Sequence, residues 1–365
     1  MTVSLDEGPS SRRIPRRAQR RTTAAPPRLR AGAVETIEIG LINNMPDAAL
    51  EQTERQFIGL LNAGAGERRI RLTMFSLPEI TRAGAARERV ELRYAPIEEL
   101  WDSRLDGLIV TGTEPRAPDL RDEPYWQTLT KIIDWADANT RSTIWSCLGA
   151  HVAVLHMDGI GRHPLPDKCF GVFDSSRSAS HALMRGLPAR VPIPHSRWNE
   201  LREQELTASG YTVLTRSDEA GVDAFARQGN SLFLFFQGHP EYEARTLLGE
   251  YRRDVRRFLR GERETYPSLP RNYFDEDATR RLAAFRLRGL DDRREALMEA
   301  FPGCSEESLQ ASWRPAAERL MTNWLGQLTA PKSQPSKTAI LADTDHAPVP
   351  ASARNSAVRA GLRDL

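Results

Sequence analysis

The run Ser142-Thr143-Ile144-Trp145-Ser146-Cys147-Leu148-Gly149-Ala150-His151 sets a cysteine between two segments of different periodicity. Ser142 to Ser146 reads as a short strand, and Leu148 to Met157 as a helix that follows at once. A strand that passes into a helix through one residue resembles a nucleophile elbow, whose tight turn exposes the side chain at its apex. The helix N-terminus behind that apex favours negative charge, and therefore a thiolate.

The same grammar repeats outward from this point. Thr36 to Ile42 is a strand candidate halted by Asn43, Asn44, Met45 and Pro46. A helix follows, with Asp47 available as a cap and Leu50, Thr53, Phe57 and Leu61 at three- and four-residue spacing. Ile70 to Leu77 and Leu105 to Val110 are further strands, the latter stopped by Thr111 and Gly112. Tyr125 to Ala138 is an amphipathic helix, and Ser231 to Phe236 is the most apolar strand, ending in Gln237, Gly238, His239 and Pro240. Short strands alternating with helices predict an α/β fold with a mostly parallel sheet and helices on both faces. In such sheets ligands sit beyond the carboxyl ends of the strands, so the residues just after each strand are the ones to inspect.

Composition narrows the function classes. With 40% hydrophobic and 27% charged residues, the chain of 365 residues has an ordinary globular balance. No apolar run approaches the ~20 residues that span a bilayer, and a net charge of +2 argues against nucleic acid as a partner. Three cysteines are too few for a disulfide framework and fit a reducing, cytoplasmic setting. The charge is uneven, however: eight arginines fall within residues 1–30, with four prolines and few large apolar side chains. Residues 1–33 are therefore expected to be a disordered basic tail and 329–365 a second disordered tail, leaving 34–328 as the ordered domain. No apolar segment follows the arginines, so a secretory or twin-arginine signal is not expected.

Two strand ends carry candidate chemistry. Cys147 is the candidate nucleophile, with the Leu148 N–H as one oxyanion donor and the turn at Gly112 as source of a second; losing such a donor typically costs about 3 kcal/mol of barrier. Cys169 and Cys304 lack the strand-to-helix setting and read as small buried hydrophobes. His239, roughly 90 positions downstream, sits just past the most buried strand, and Glu241 two residues on is placed to orient its imidazole. A Cys–His–Glu triad is the combined reading. The other histidines form no metal-ligand spacing with the cysteines, and no metal is expected.

CLG (147–149) and GHPE (238–241) resemble the class I glutamine amidotransferase architecture. The core is more specifically similar to the homoserine O-acyltransferase family of that fold. The matching stretches are LINNMP (41–46), TERQFIGLL (53–61), GLIVTG (107–112), YW (125–126), HALMRG (181–186), PHSR (194–197), GHPEY (238–242), EYRRDV (250–255), NYF (272–274), ASWR (311–314) and TNWL (322–325). They cover most of residues 36–326, and PHSR, NYF and TNWL are not amidotransferase features.

That resemblance implies an acyltransferase domain over 34–328, moving an acyl group from acyl-CoA to the hydroxyl of L-homoserine in methionine biosynthesis. Cys147 would carry the acyl thioester, His239 would be the general base and Glu241 its orienter. Lys168, 21 positions after the cysteine, falls at the family's active-site lysine. Ser196 and Arg253 match substrate-contact positions, and a guanidinium suits a bidentate grip on a carboxylate; spacing alone does not choose between Arg253 and its neighbour Arg252. Acyl-CoA would be a co-substrate, with no cofactor, and a homodimer is the family's common form. The fourth residue after GLIVTG selects the acyl group in this family, glycine going with succinyl-CoA and glutamate with acetyl-CoA. Arg116 departs from both; a guanidinium there could pair with a succinyl carboxylate, which favours succinyl. Between Asp277 and Ser308 an added helical segment is expected, without a catalytic role. The rival readings are a glutamine amidotransferase, an acyltransferase for serine or another hydroxy-amino acid, and a binding protein on the same fold. The last would have lost Cys, His or Glu, and all three are present.

Overall fold

Leu232–Phe236 (LFLFF) is buried at every position, a condition met only by a strand covered on both faces. The computed structural model describes residues 3–5 and 36–330. Its strands are β1 (Val3–Leu5), β2 (Thr36–Ile42), β3 (Arg69–Phe75), β4 (Gly107–Val110), β5 (Ser142–Ser146) and β6 (His163–Arg177). They continue as β7 (Arg190–Glu200), β8 (Thr212–Val213), β9 (Thr215–Ser217), β10 (Gly221–Val222), β11 (Ala224–Gln228) and β12 (Leu232–Phe236). The α-helices are α1 (Asp47–Ala65), α2 (Gly84–Arg93), α3 (Trp126–Asn139), α4 (Leu148–Asp158), α5 (Glu203–Ala208), α6 (Thr246–Leu259), α7 (Glu276–Asp291) and α8 (Arg314–Thr329). Contacts close the described residues up to Thr329 into one unit, and of the chain beyond it only Ala330 is among the described residues. Among the described residues no helix is long and apolar enough to cross a membrane.

The main sheet has the order β1-β3-β2-β4-β5-β12-β11-β8. Its strands from β1 to β12 pair in parallel, and β11 and β8 add antiparallel pairings at one side. Helices cover both faces, as the alternating pattern predicts. Leu50, Phe57 and Leu61 of α1 and Leu320, Trp324 and Leu328 of α8 pack on one face. Leu129, Ile132 and Ile133 of α3 and Val152, Ala153 and Val154 of α4 pack on the other. Asp47 opens α1 without capping it; its carboxylate accepts instead from the Ala83 N–H at 2.9 Å.

Register brings the strand ends level. Ile42 pairs with Val110, Val110 with Trp145, and Ser146 with Phe236. The loops that leave β2, β4, β5 and β12 therefore gather at one edge of the sheet, which is where the elbow and the His239 turn emerge.

A second sheet, β10-β9-β6-β7, is antiparallel throughout and was not foreseen from the sequence. The long strands β6 and β7 carry Pro164, Pro166, Pro192 and Pro194, which erase the alternating signal and fall where pairing is broken or at sheet edges. The β6/β7 register shifts between Pro164 and Cys169. The helical segment expected after Asp277 is present as α7 and a 3₁₀ turn over Glu295–Ala300, with Met298 buried among α6 and α7.

One strand corrects the expected tail of 1–33. Val3–Leu5 pairs in parallel with Ile70–Leu72, because Val3 has core to enter: it is buried and its N–H donates to Asn62 Oδ1 at 3.1 Å. The remainder of that expected tail lies outside the described residues. So does the expected C-terminal tail from 331 onward, whose proposed first residue, Thr329, closes α8.

Gly171 joins the second sheet to the NYF segment. Its φ is +143°, and a Cβ there would lie 2.3 Å from the Arg271 carbonyl oxygen and 2.4 Å from the Arg271 nitrogen. The two backbones exchange hydrogen bonds at 2.9 Å, Val172 N–H to Arg271 and Arg271 N–H to Phe170. Asn272 then turns the chain at φ +56°, a conformation that asparagine tolerates better than most residues. Gly171→Ala combines strain with overpacking against backbone, which cannot give way as a side chain can. A loss of at least about 2 kcal/mol is expected, read as a lower denaturant midpoint at unchanged m-value.

Candidate active site

Cys147 caps α4 at φ +50° and ψ −116°, a left-handed conformation that a non-glycine residue adopts only when its surroundings impose it. Two bonds do so. Its N–H donates to Phe236 on the neighbouring strand at 2.7 Å, and its carbonyl accepts from Ala150 at 2.9 Å as α4 begins. The loop after β4 closes over this turn. A Cβ on Gly112 would meet the Leu148 nitrogen at 2.9 Å, so only glycine lets the two backbones lie so close. The first N–H groups of a helix have no intrahelical acceptor, and Leu148 N–H therefore stands beside the Gly112 turn, ready for an oxyanion.

His239 leaves β12 through Gln237 and Gly238. Its Nδ1 is 2.8 Å from Glu241 Oε1, which also accepts from Ser146 Oγ at 3.4 Å. The ring stacks on Tyr242 with centroids 4.3 Å apart, and Cys147 lines the same cavity. Burial favours the neutral imidazole, but the charges of Glu241 and Cys147 outweigh it and hold the His239 pKa well above the ordinary value. The imidazole is therefore held as the imidazolium.

The turn carrying His239 is tied down from behind. The Gly238 N–H donates to Asp223 Oδ1 at 3.1 Å, the Gln237 N–H to the Asp223 carbonyl at 2.9 Å, and the His239 N–H to Pro194 at 2.8 Å. A Cβ on Gly238 would press on Ile193 at 2.5 Å and Asp223 Oδ1 at 2.6 Å. Asp223 is fully buried, and burial pushes its pKa up to about 6 against the pull of its Thr215 and Gly238 hydrogen bonds. His195, 3.6 Å from Asp223, is held neutral by burial and by Arg197.

Facing this pair across a cavity of about 200 Å³ are the remaining candidates. Lys168 on β6 lies 3.5 Å from Glu250 and 3.4 Å from Asp254, with its ammonium 4.0 Å from the Phe170 ring centroid. Ser196 on β7 donates to Glu250 Oε2, and Tyr242 Oη to Glu250 Oε1 at 2.6 Å. Arg253 faces the Asp254 carboxylate at 3.0 Å and also lines the cavity. Burial opposes ionisation of Glu250, yet Lys168, Ser196 and Tyr242 outweigh it and keep the carboxyl below its usual range.

Cys147, His239, Glu241, Lys168, Ser196 and Arg253 thus line one cavity. Arg116 is not among its lining residues. It is exposed on an adjoining cavity of about 530 Å³, and Pro46, Thr113 and Glu114 line both. The reason is local: Glu123 Oε1 accepts from the N–H groups of Arg116 and Ala117 and pins that loop beside Tyr125. Cys169 and Cys304 stand apart from the triad, burial pushing both thiols up. Among the described residues no three His, Cys, Asp or Glu side chains gather so as to hold a metal ion.

Glu250 is the residue that sequence reasoning passed over. It lies inside EYRRDV, in a helix crowded with charge, and its role depends on partners from three other segments. One signal was present: Glu250, Arg253 and Asp254 share a helix face at three- and four-residue spacing.

The raised His239 pKa has a consequence for stability. A group whose pKa is higher folded than unfolded stabilises the fold below its unfolded value, about 6.5 for imidazole, and that contribution is lost as pH rises through the folded value. Glu241→Gln removes the charge that raises it. The variant's loss of melting temperature is expected to be greatest near pH 6 and to shrink toward alkaline pH, while the His239 imidazole titration seen by NMR moves downward. A pH-independent loss would contradict this.

The sequence profile of "Homoserine O-succinyltransferase" matches residues 18–333. A homoserine O-succinyltransferase of Rhodopseudomonas palustris is 51% identical over 302 residues, covering 82% of this chain and 91% of the relative. One from Methylorubrum extorquens is 48% identical, covering 79% and 86%. A solved glutamine amidotransferase of Methylobacillus flagellatus is similar at 17% identity, covering 82% and 98%, with a TM-score of 0.46. The profile spans most of the sequence, and half of the aligned positions are identical to a relative nearly matched end to end: this chain belongs to the homoserine O-succinyltransferase family.

Proposed function

We propose that the protein transfers a succinyl group from succinyl-CoA to the hydroxyl of L-homoserine through a thioester on Cys147, a step of methionine biosynthesis in the cytoplasm. The observation that carries the reading is the convergence of Cys147 and the hydrogen-bonded His239–Glu241 pair on one cavity at the mouth of the parallel strands, facing a carboxylate-and-cation pocket of amino-acid size.

In the first half-reaction the Cys147 thiolate attacks the succinyl carbonyl. The N–H groups of Leu148 and the Gly112 turn receive the oxyanion. Collapse breaks the carbon–sulfur bond to CoA, and the imidazolium of His239 gives its proton to the departing thiolate. In the second half-reaction His239, now neutral, takes the hydroxyl proton of homoserine as that oxygen attacks the thioester. The carbon–oxygen bond forms, the bond to Cys147 breaks, and thiolate and imidazolium are restored. Glu241 keeps the imidazole in the orientation and tautomer both halves require.

The acceptor's carboxylate is met by the Arg253 guanidinium and its ammonium group by Glu250, with Lys168 and Ser196 fixing the Glu250 carboxylate. No cofactor takes part, since the activated group arrives on its co-substrate. Arg116 tunes the donor's acyl group from the adjoining cavity.

Two experiments test this reading. Initial rates over both substrates should give parallel double-reciprocal lines, and intact-mass analysis without acceptor should show a succinyl adduct that Cys147→Ala lacks. Intersecting lines with no adduct, or release of glutamate from glutamine, would overturn it. For donor choice, Arg116→Gln, which removes the charge without installing the family's glycine, is expected to lower kcat/KM for succinyl-CoA about tenfold, the worth of one charge-assisted hydrogen bond of ~1.5 kcal/mol, with acetyl-CoA unaffected; an unchanged donor preference would show that this side chain does not choose the acyl group.

A further inference from the structure

The cavity around Cys147 is too small for the whole of an acyl-CoA. At about 200 Å³ it falls below the roughly 300–1,000 Å³ of pockets that bury a drug-sized molecule. It has room for the reacting thioester carbon and an amino acid, so a donor's pantetheine arm and phosphates must lie across the cavity's rim.

Two walls of the cavity continue past it in register. On β7, Ser196 and Trp198 are two residues apart and so share a strand face; Ser196 lies within, and Trp198 lines the rim with its side chain half exposed. On α6, Arg253 and Arg257 are four apart and share a helix face; Arg253 lines the cavity and Arg257 stands one turn further along. Arg257 reaches 4.0 Å from Glu114, on the third wall, with side chains 45% and 68% exposed. A pair so distant and so wet is worth little, and a multivalent anion exchanges for Glu114 readily. The Asp254 carboxylate on this side is already engaged by Lys168, Arg253 and Arg263, so it does not compete with an anion for Arg257.

We propose that Trp198 and Arg257 form an outer subsite for the CoA portion of the donor, the indole packing against the pantetheine arm and the guanidinium exchanging Glu114 for a CoA phosphate. This rests on the acyltransfer reading above. It adds two residues that touch neither the acyl carbon nor the acceptor and act on how the donor is held.

Donors of different length test it in the intact enzyme. Arg257→Gln is expected to raise KM for succinyl-CoA about tenfold with kcat within twofold, and to leave kcat/KM for the phosphate-free succinyl-N-acetylcysteamine thioester unchanged. Homoserine KM should not move. Raising ionic strength should weaken succinyl-CoA binding more in the wild type than in Arg257→Gln, because the screened pair is absent from the variant. Trp198→Ala should raise KM for succinyl-CoA and succinyl-pantetheine alike. Arg256→Gln, whose guanidinium lies near Glu295 instead, serves as the control and should behave as wild type. Equal losses on the long and the short donors, or none on either, overturn the subsite while leaving the acyltransfer reading intact. A wild-type enzyme inert on both donors overturns the acyltransfer reading and the subsite with it.

Discussion

A single backbone hydrogen bond, from the Cys147 N–H to the Phe236 carbonyl at 2.7 Å, sets the geometry of the site. It is the last bond of the parallel β5/β12 ladder, and it holds the strained turn at Cys147 against the strand that delivers His239. Side chains at adjacent strand ends can then meet without a long loop, which keeps the cost of ordering them small. Cys147 tolerates its left-handed backbone because that bond and the start of α4 leave it no alternative.

Behind the reacting atoms lies a second layer that the chemistry never touches. Asp223 holds the Gly238 N–H, Gln237 fastens β10 and the start of α5's loop, and Pro194 takes the His239 N–H. The same β7 strand that supplies the Pro194 acceptor also supplies Ser196. His239 and Ser196 are thereby tied to one rigid element, and their separation is fixed by the pleat of a strand rather than by a flexible connection.

The main sheet was legible in the sequence because its strands are buried on both faces and end in turn residues; Thr36–Ile42 and Ser142–Ser146 are found with the predicted bounds. That Cys147, His239 and Glu241 would face one cavity was legible because strand ends are where such folds place their ligands. The second sheet was hidden by the prolines of β6 and β7, which break the alternation that marks a strand. Arg116 shows a different limit: its offset from GLIVTG was clear, but the fold of that loop is set by Glu123, seven residues on and unremarkable as a letter in the chain. Glu250 was unreadable for a related reason, since its partners Lys168, Ser196 and Tyr242 are assembled only by the tertiary fold.

The order of the central strands bears on how the molecule is made. β5 and its cysteine are synthesised well before β12, yet β12 must slot between β5 and β11 before an imidazole stands beside the sulfur. Pairings so remote along the chain form late in folding. In a nascent or truncated polypeptide that lacks β12, Cys147 consequently has no imidazole beside it, and the cavity that both line is completed only as this central strand docks.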